Sequence, residues 1–304
     1  MIELDARHDL VCSFDAGERD LMRLIRDREV LVFRSGVKIT AGVLEAAPQL
    51  KLLVRAGSGL DNIDLDCVRR RDLELVRIPG PSARAVAELA FGLMLALSRQ
   101  ILVADRSLRD GHWAKHEVAG YLLRGKHLGI VGLGNIGSTA ARMGVSWGMR
   151  VSGCVENPSA EREAGFAEDG IRLASFQEVL CSADYLCIFV PLKSSTRHLV
   201  GAKELACMKK GAFLVNMARG EVLEEAALAK ALSEGGGLAG AALDVHQQEG
   251  ENKASPLAGL ANVVLTPHIG AMTVDTQREI GRRIVDIIDE YPAGIRSCRP
   301  GTEK

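Results

Sequence analysis

The strongest constraint on the fold of this chain is a glycine pattern, Gly-Leu-Gly-Asn-Ile-Gly, at positions 132–137. It directly follows the apolar run Leu128–Val131, which has the length and composition of a buried parallel strand. In a strand-to-helix turn, Gly132 permits a sharp exit from the strand, Gly134 lets the backbone approach a pyrophosphate, and Gly137 lets the new helix pack on the sheet. The pattern therefore predicts a strand, a turn and a helix that bind a dinucleotide.

Asn135 and Ile136 complete the pattern and begin the predicted helix, whose free N–H groups and positive dipole end favour a pyrophosphate. The ribose of the dinucleotide needs a partner at the end of the second strand. A carboxylate there accepts both ribose hydroxyls of NAD and repels the 2′-phosphate of NADP. Glu156 is the candidate, and the next cationic residue is Arg162. NAD is therefore the predicted cofactor, with NADP left open as the alternative.

Strand and helix patterns alternate along the chain, which indicates parallel sheets joined by crossover helices. A long helix is predicted over 83–108, a last helix over 273–291 ends before Pro292, and Thr40 is predicted to cap the helix that follows it. The predicted class is α/β, with two doubly wound parallel-sheet domains. The predicted strands are 29–33, 52–54, 73–76, 128–131, 149–152, 185–190, 213–216, 241–245 and 263–266.

Composition excludes several classes of function. The chain has 38 Lys and Arg against 39 Asp and Glu and a pI near 6.7, so no net field favours nucleic acid or an anionic membrane surface. Its seven cysteines include no CxxC pair, which is typical of reduced thiols. The first residues form no apolar signal segment, and no apolar run reaches the length of a membrane span. A soluble, cytoplasmic protein without a metal site is expected.

From about Leu31 to Arg283 the chain resembles the D-isomer-specific 2-hydroxyacid dehydrogenase family, which includes 3-phosphoglycerate dehydrogenases, glyoxylate/hydroxypyruvate reductases and D-lactate dehydrogenases. The resemblance implies a Rossmann cofactor domain at 99–279, inserted into a smaller flavodoxin-like substrate domain formed by 1–98 and 280–304. Compared with the family, we expect either a substrate domain that is trimmed at its N-terminus or a start of the sequence that is internal, and we expect no C-terminal regulatory domain. The segments that carry the resemblance are 55–64, 131–137, 216–220, 242–245 and 266–270.

Three residues of the types that hydride chemistry on a 2-hydroxy acid requires follow predicted strands. Reduction of a 2-oxo acid needs a hydride at C2 and a proton at the carbonyl oxygen, so a donor that titrates near neutrality must lie beside that oxygen. His268 fits this role, and Glu249, hydrogen-bonded to the imidazole, would favour its charged form. Arg219 offers a planar fork to the substrate carboxylate. The family's catalytic roles fall on the same three residues.

Each of these residues also has a purely structural interpretation when taken alone. His268 could be a satisfied loop residue, Arg219 could cap a strand end, and Glu249 could be solvated. Their joint occurrence at the predicted carboxyl ends of strands, where open α/β sheets bind ligands, favours catalysis. Asp244 stays open between a place near the nicotinamide, implied by the resemblance, and a hydrogen-bonding role at a strand end. The resemblance also implies that four other residues line the cofactor: Pro191, Thr196, Asn216 and Ala218.

Three positions depart from the family pattern. The acidic ribose ligand usually follows the residue that matches Cys154, where this chain has Val155, and Glu156 comes one place later. The Phe that usually follows the Asp-Val pair is His246, and the Pro that usually follows the catalytic Glu is Gly250. We therefore expect a weaker preference for NAD and a different position for the loop that carries the catalytic Glu.

Substrate recognition is predicted from the glycine-rich turn at 57–59, where backbone N–H groups at Ser58 and Gly59 would contact the substrate carboxylate. The first candidates for binding a second anionic group are Arg55, which adjoins the turn, and Arg84, which opens the crossover helix. The other candidate cations are Arg77, Lys115 and His116, and surface ion pairing is the alternative for all five. The identity of the 2-hydroxy acid stays open.

Two other functions are compatible with the resemblance. One is an NAD-sensing protein like the corepressors of this family, in which the cofactor controls partner binding. The other is a formate or phosphite dehydrogenase on the same scaffold, in which Gln often replaces Glu249, so that Glu249 favours a hydroxy acid. The resemblance also implies a homodimer with contacts from the crossover helix and residues 106–121.

Overall fold

The computed structural model describes residue 4 and residues 6–13, 16–233 and 237–291. Its strands form two separate parallel sheets, which confirms the predicted α/β class. In chain order the strands are β1 (Val30–Phe33), β2 (Leu52–Arg55), β3 (Glu74–Arg77), β4 (His127–Val131), β5 (Arg150–Cys154), β6 (Ile171–Leu173), β7 (Tyr185–Ile188), β8 (Phe213–Asn216), β9 (Gly240–Leu243) and β10 (Val263–Leu265). The helices are α1 (Glu18–Leu24), α2 (Ala41–Glu45), α3 (Leu65–Arg70), α4 (Gly80–Ser98), α5 (Ile101–Arg109), α6 (Asn135–Ser146), α7 (Ala160–Glu168), α8 (Phe176–Ser182), α9 (Ala202–Cys207), α10 (Glu225–Ser233) and α11 (Val274–Glu290).

The chain divides into two compact units, which we call the small unit (residues 1–82 and 273–304) and the large unit (residues 83–272). Both divisions come earlier in the chain than the predicted boundaries at 98–99 and 279–280. The reason is packing: the apolar face of α4 joins the core around β4, and α11 joins the core around β2. Apolar spacing identifies such helices but not the core that each will join.

The small unit contains one sheet with the parallel strand order β1-β2-β3. All four residues of β2 are buried, and its side chains alternate between two cores. Leu53 packs with Leu44 of α2, whereas Leu52 packs with Ile280 of α11. Helices therefore cover both faces of this sheet, as its continuous apolar strand requires.

The large unit contains seven parallel strands in the order β10-β9-β8-β7-β4-β5-β6. The order reverses at β4, with β5 and β6 on one side and β7 to β10 on the other. This is the strand order of a Rossmann sheet with one strand added, and it confirms the predicted doubly wound class. Open sheets of this kind bind ligands at the carboxyl ends of the strands beside the reversal. The glycine pattern at 132–137 begins at that point.

The single helix predicted over 83–108 is wrong, because the chain forms α4 and α5 instead. Gln100, between them, adopts a left-handed φ of 51°, and its side-chain amide donates to the Ala119 carbonyl at 2.9 Å. Apolar spacing continues through the break and gives no sign of it. The sequence also does not predict β6, an edge strand of three residues. The cap predicted at Thr40 is confirmed, since its hydroxyl oxygen accepts the Val43 N–H at 3.2 Å.

Helix α4 is long and apolar enough to cross a membrane when length and composition alone are considered. One of its faces is nevertheless buried, because Phe91, Met94 and Leu97 pack with Leu128 of β4 in the core of the large unit. This burial is typical of the core helix of a globular domain.

A polar network at the amino end of β4 links the stability of the large unit to pH. The His127 imidazole donates from Nδ1 to the Ser182 carbonyl at 2.9 Å and accepts at Nε2 from the Ser152 hydroxyl at 2.9 Å. Burial lowers the pKa of His127 below its ordinary value; the Ser182 hydrogen bond opposes this, and the charges of Arg150 and Lys209 reinforce it. The folded protein therefore favours the neutral imidazole.

We expect the free energy of unfolding to fall as the pH drops below about 6.5, the ordinary histidine pKa. Because the pKa of His127 is lowered in the folded protein, the unfolded chain binds the proton first, and acid shifts the equilibrium towards it. A His127→Asn variant keeps a donor at the Nδ1 position but does not titrate. Urea unfolding between about pH 5 and pH 8 should show a flatter pH dependence for this variant. Equal slopes for both proteins would contradict the prediction.

Candidate active site

The glycine pattern lies in three different environments at the end of β4. Gly132 has a φ of 101°, and an added Cβ would lie 2.9 Å from a methyl carbon of Val190. At Gly137 an added Cβ would overlap the carbonyl oxygen of Gly132, so α6 packs closely on the turn. At Gly134, the N-cap of α6, an added Cβ would face open space. The first and third glycines thus serve packing, and the second leaves room for a ligand to approach the backbone.

The open space at Gly134 adjoins the first turn of α6, which begins at Asn135 and Ile136. Backbone N–H groups and the helix dipole favour a phosphate at this end of a helix. The close approach that glycine permits and the twelve-residue length of α6 both fit the pyrophosphate of a dinucleotide.

Glu156, the predicted ribose ligand, forms an ion pair with Lys193, with 2.8 Å between Oε2 and Nζ. Lys193 lies in the loop after β7. The Thr196 hydroxyl closes this loop by donating to the Pro191 carbonyl at 2.6 Å and accepting the Lys193 N–H at 2.8 Å. The sequence does not bring Lys193 near Glu156, because 37 residues separate them. Only the sheet order, in which β5 and β7 flank β4, does so.

The imidazole of His268 and the carboxylate of Glu249 form a direct pair, with 2.9 Å between Nδ1 and Oε2. Their side chains are 30% and 39% exposed, and a cavity of about 530 Å³ borders them. Burial raises the pKa of Glu249, but the hydrogen bond and the charge of His268 outweigh it, so that the pKa is lower than usual. Glu249 is therefore charged at neutral pH, and Nε2 is the His268 nitrogen on the side away from it.

Asp244 holds the loop that carries His268. It is 2% exposed, and its carboxylate accepts the Thr266 hydroxyl at 2.6 Å, the Ile269 N–H at 2.9 Å and the Gly270 N–H at 2.8 Å. His268 has a φ of 55°, which is uncommon for a residue other than glycine, and its N–H donates to the Asp244 carbonyl at 2.8 Å. Of the two roles that the sequence leaves open for Asp244, these contacts support the hydrogen-bonding role at a strand end.

Arg219 follows β8, the strand next to β9 in the sheet, so its loop leaves the same edge as the loops of Glu249 and His268. The buried side chain of Asn216 shapes the preceding turn, because it accepts the Ala218 N–H at 3.1 Å and donates to the Arg219 carbonyl at 3.1 Å. Arg219 itself is half-buried, and its guanidinium donates to the Ala218 carbonyl at 2.8 Å.

His246 lies among the same loops, and the sequence predicts no function for it. Its backbone N–H donates to Glu249 Oε1 at 3.2 Å, and its ring Nε2 lies 2.9 Å from the Thr266 carbonyl oxygen. Only its position in the sequence could have drawn attention to it. His246 lies between Asp244 and Glu249, at a place where the family pattern has Phe.

The candidate substrate ligands lie in both units. In the small unit, Arg55 is 4% exposed and donates to the Gly59 carbonyl at 2.9 Å, so it supports the glycine-rich turn from within. Ser58 is exposed and Gly59 is half-buried. In the large unit, Arg84 pairs with Glu88 at 2.6 Å, which is the surface ion pairing that the sequence leaves open. Substrate binding by these four candidates stays a prediction.

Comparison with known proteins identifies a family. Residues 91–270 match the model described as D-isomer specific 2-hydroxyacid dehydrogenase, NAD binding domain. These residues include the glycine pattern and the His268–Glu249 pair.

Two curated relatives and one solved structure extend the comparison over most of the chain. A hydroxypyruvate reductase of Thermotoga maritima is 40% identical over 93% of this chain and 91% of its own length. A D-3-phosphoglycerate dehydrogenase of Methanocaldococcus jannaschii is 40% identical over 91% of this chain, which spans only 52% of that relative's length. A crystal structure of D-lactate dehydrogenase from Aquifex aeolicus, complexed with NAD and lactic acid, is 28% identical with a TM-score of 0.80, covering 88% of this chain and 84% of that one.

Proposed function

Because the chain belongs to the D-isomer-specific 2-hydroxyacid dehydrogenase family, we propose that it transfers a hydride between NAD and C2 of a D-2-hydroxy acid or its 2-oxo acid. The observation that carries this proposal is the 2.9 Å hydrogen bond between His268 and Glu249. It lies at the carboxyl edge of a Rossmann sheet whose strand reversal carries the glycine pattern. This is the edge at which such sheets bind ligands.

His268 is the proposed acid and base. During reduction the protonated imidazole donates from Nε2 to the carbonyl oxygen, and during oxidation the neutral imidazole removes the hydroxyl proton. Glu249 orients the ring through Nδ1 and stabilises its positive charge. Arg219 binds the substrate carboxylate through its planar guanidinium. When bound, the nicotinamide supplies or accepts the hydride.

The proposed cofactor site combines the open turn at Gly134 with the adjoining positive end of α6. Asp244 fixes the loop of His268, and its proposed place is beside the nicotinamide. The residues assigned to the cofactor are Gly132, Gly134, Asn135, Ile136, Gly137, Glu156, Pro191, Thr196, Asn216, Ala218 and Asp244.

The proposal is tested by following absorbance at 340 nm with NADH and NADPH in parallel. The panel of 2-oxo acids includes glyoxylate, hydroxypyruvate and 3-phosphohydroxypyruvate, so that both small and dianionic substrates are present. We expect turnover of at least one 2-oxo acid. Binding of NADH without turnover of any of them would contradict the proposal and support an NAD-sensing function instead.

The Glu156–Lys193 ion pair leads to a prediction about cofactor preference. Glu156 repels a 2′-phosphate, whereas Lys193, 2.8 Å away, attracts one. Replacing Glu156 by Gln removes the repulsion and releases Lys193. We therefore expect the dissociation constant for NADPH to fall by roughly fivefold relative to that for NADH, since one exposed charge contact contributes about 1 kcal/mol. Fluorescence titration of both nucleotides measures the ratio. The double variant with Lys193→Ala should lose the part of the gain that Lys193 contributes, and an unchanged ratio in Glu156→Gln would contradict the prediction.

A homodimer is also proposed, on the evidence of an exposed apolar surface between residues 101 and 122. Every residue of α5 is exposed or half-buried, and an apolar surface of this kind on a folded chain marks an interaction site. Its large apolar side chains are Ile101, Leu102, Val103, Leu108, Trp113, Tyr121 and Leu122.

Sedimentation should therefore give about twice the chain mass of 32.6 kDa. Leu122→Glu should shift the protein towards a monomer. Val274→Glu is the matched control, because Val274 is a similarly exposed apolar residue outside this surface. A monomeric wild-type protein would contradict the dimer.

We also propose a cytoplasmic location. The six cysteines among the described residues are free thiols, as a reducing compartment favours. Cys298 lies outside the described residues.

A further inference from the structure

We propose that His246 is a positioning residue that holds the loops of Arg219, Glu249 and His268 in their catalytic positions. This inference rests on the proposed function, because it concerns the same site. It differs from that proposal in assigning a role to a side chain other than those of Arg219, Glu249 and His268. His246 and its backbone make three contacts that support this role, one for each loop.

The first contact fixes the Glu249 carboxylate. The His246 backbone N–H donates to Oε1 at 3.2 Å, while His268 Nδ1 lies 2.9 Å from Oε2. Each carboxylate oxygen thus has its own partner, so rotation of the carboxylate away from His268 costs both hydrogen bonds. The direction in which Glu249 faces His268 therefore depends on where the His246 backbone lies.

The second contact ties this backbone to the loop of His268. The His246 ring nitrogen Nε2 lies 2.9 Å from the Thr266 carbonyl oxygen, and the same oxygen accepts the His268 backbone N–H at 3.1 Å. A carbonyl oxygen only accepts, so Nε2 carries the hydrogen. Thr266 lies two residues before His268. The imidazole of His246 therefore links the loop after β9 directly to the loop after β10.

The third contact involves the loop of Arg219. An added Cβ at Gly220 would overlap the carbonyl group of His246 and lie 2.3 Å from the Gln247 nitrogen, so the two backbones are packed together there. The Gln247 N–H also donates to the buried carboxylate of Glu225 at 2.7 Å, at the start of α10. The His246 backbone is thereby held against the turn that begins at Arg219.

One further observation supports a role for the Nε2–H donor of the His246 ring. His246 Nδ1 is buried and has no hydrogen-bond partner among the residues that the structure describes. An unsatisfied buried nitrogen is unfavourable, and an apolar ring would avoid it. The Thr266 hydrogen bond is the compensating interaction, and it connects the loop of Glu249 to the loop of His268.

The test compares two substitutions. His246→Phe keeps a planar ring but loses the donor, and His246→Gln keeps an N–H donor at the position of Nε2. We expect His246→Phe to lower kcat by about threefold to tenfold, the range for one lost neutral hydrogen bond. KM, the dissociation constant for NADH and the melting temperature should stay close to wild type, and His246→Gln should restore most of kcat. An unchanged kcat in His246→Phe, or an equal loss in His246→Gln, would overturn the inference.

A measurement without turnover separates this inference from the proposed function. Long-range nitrogen–proton correlation of the histidine rings reports which ring nitrogen carries a hydrogen. In the wild-type protein His246 should be the Nε2–H form, and the ring signals of His268, assigned with His268→Ala, should move in His246→Phe but not in His246→Gln. A wild-type His246 in the Nδ1–H form would overturn the inference even if the enzyme is active. Absence of turnover with correct ring signals would instead count against the proposed function.

Discussion

Replacing His268 by Ala should lower kcat/KM for the 2-oxo acid by about 10²- to 10⁴-fold, the range for loss of a positioned acid or base. The imidazole is the proposed proton donor, and its 2.9 Å bond to Glu249 fixes the ring. The dissociation constant for NADH should stay close to wild type, because the glycine pattern and α6 lie at a different strand end. Steady-state kinetics at 340 nm, together with fluorescence titration of NADH, measures both quantities.

Two variants in the loop after β9 sharpen this prediction. Glu249→Gln keeps an oxygen near Nδ1 but removes the charge that the structure maintains at neutral pH, so kcat should fall less than in His268→Ala. Glu251→Gln is the matched control, since Glu251 is an exposed acid two residues further along the same loop. It should leave kcat unchanged. If His268→Ala keeps most of its activity, the assignment of His268 as proton donor is wrong.

The parts of the site that follow from local patterns are predicted well by the sequence. The glycine pattern predicts its own strand, turn and helix, because the positive φ of Gly132, the open N-cap at Gly134 and the packing of Gly137 on Gly132 all lie within six residues. The strand pattern likewise places Arg219, Glu249 and His268 after strands. The structure adds that these are the neighbouring strands β8, β9 and β10. The hydrogen bond between Glu249 and His268 is the expected consequence.

Other features depend on distant residues or on the conformation of a single residue, and the sequence does not predict them. Lys193 approaches Glu156 only because β5 and β7 flank β4. The break at Gln100 arises from one left-handed φ, to which apolar spacing is insensitive. The role of His246 depends on the Thr266 carbonyl, 20 residues away on another strand end. Long-range geometry is therefore the information that the structure contributes.

Two alanine substitutions in the glycine pattern should separate folding from cofactor binding. At Gly137 an added Cβ overlaps the Gly132 carbonyl, which is backbone and cannot rotate away. Gly137→Ala must therefore displace α6 from β4, and we expect a loss of about 1–3 kcal/mol or more of folding free energy, as for other overpacked cores. Binding of NADH should be lost with it. Urea unfolding measures the first effect and fluorescence titration the second.

Gly134→Ala should weaken NADH binding without lowering the free energy of unfolding. Its φ of −84° and ψ of −163° suit alanine, and the added Cβ faces open space, so the free energy of unfolding should stay close to wild type. A methyl group there blocks the close approach of the pyrophosphate, and an overlap that costs about 1–3 kcal/mol weakens NADH binding by roughly fivefold to 150-fold. Gly165→Ala, in the exposed helix α7 where an added Cβ also meets open space, is the matched control and should leave NADH binding unchanged. Unimpaired binding of NADH by a folded Gly134→Ala protein would show that the dinucleotide does not lie at this turn.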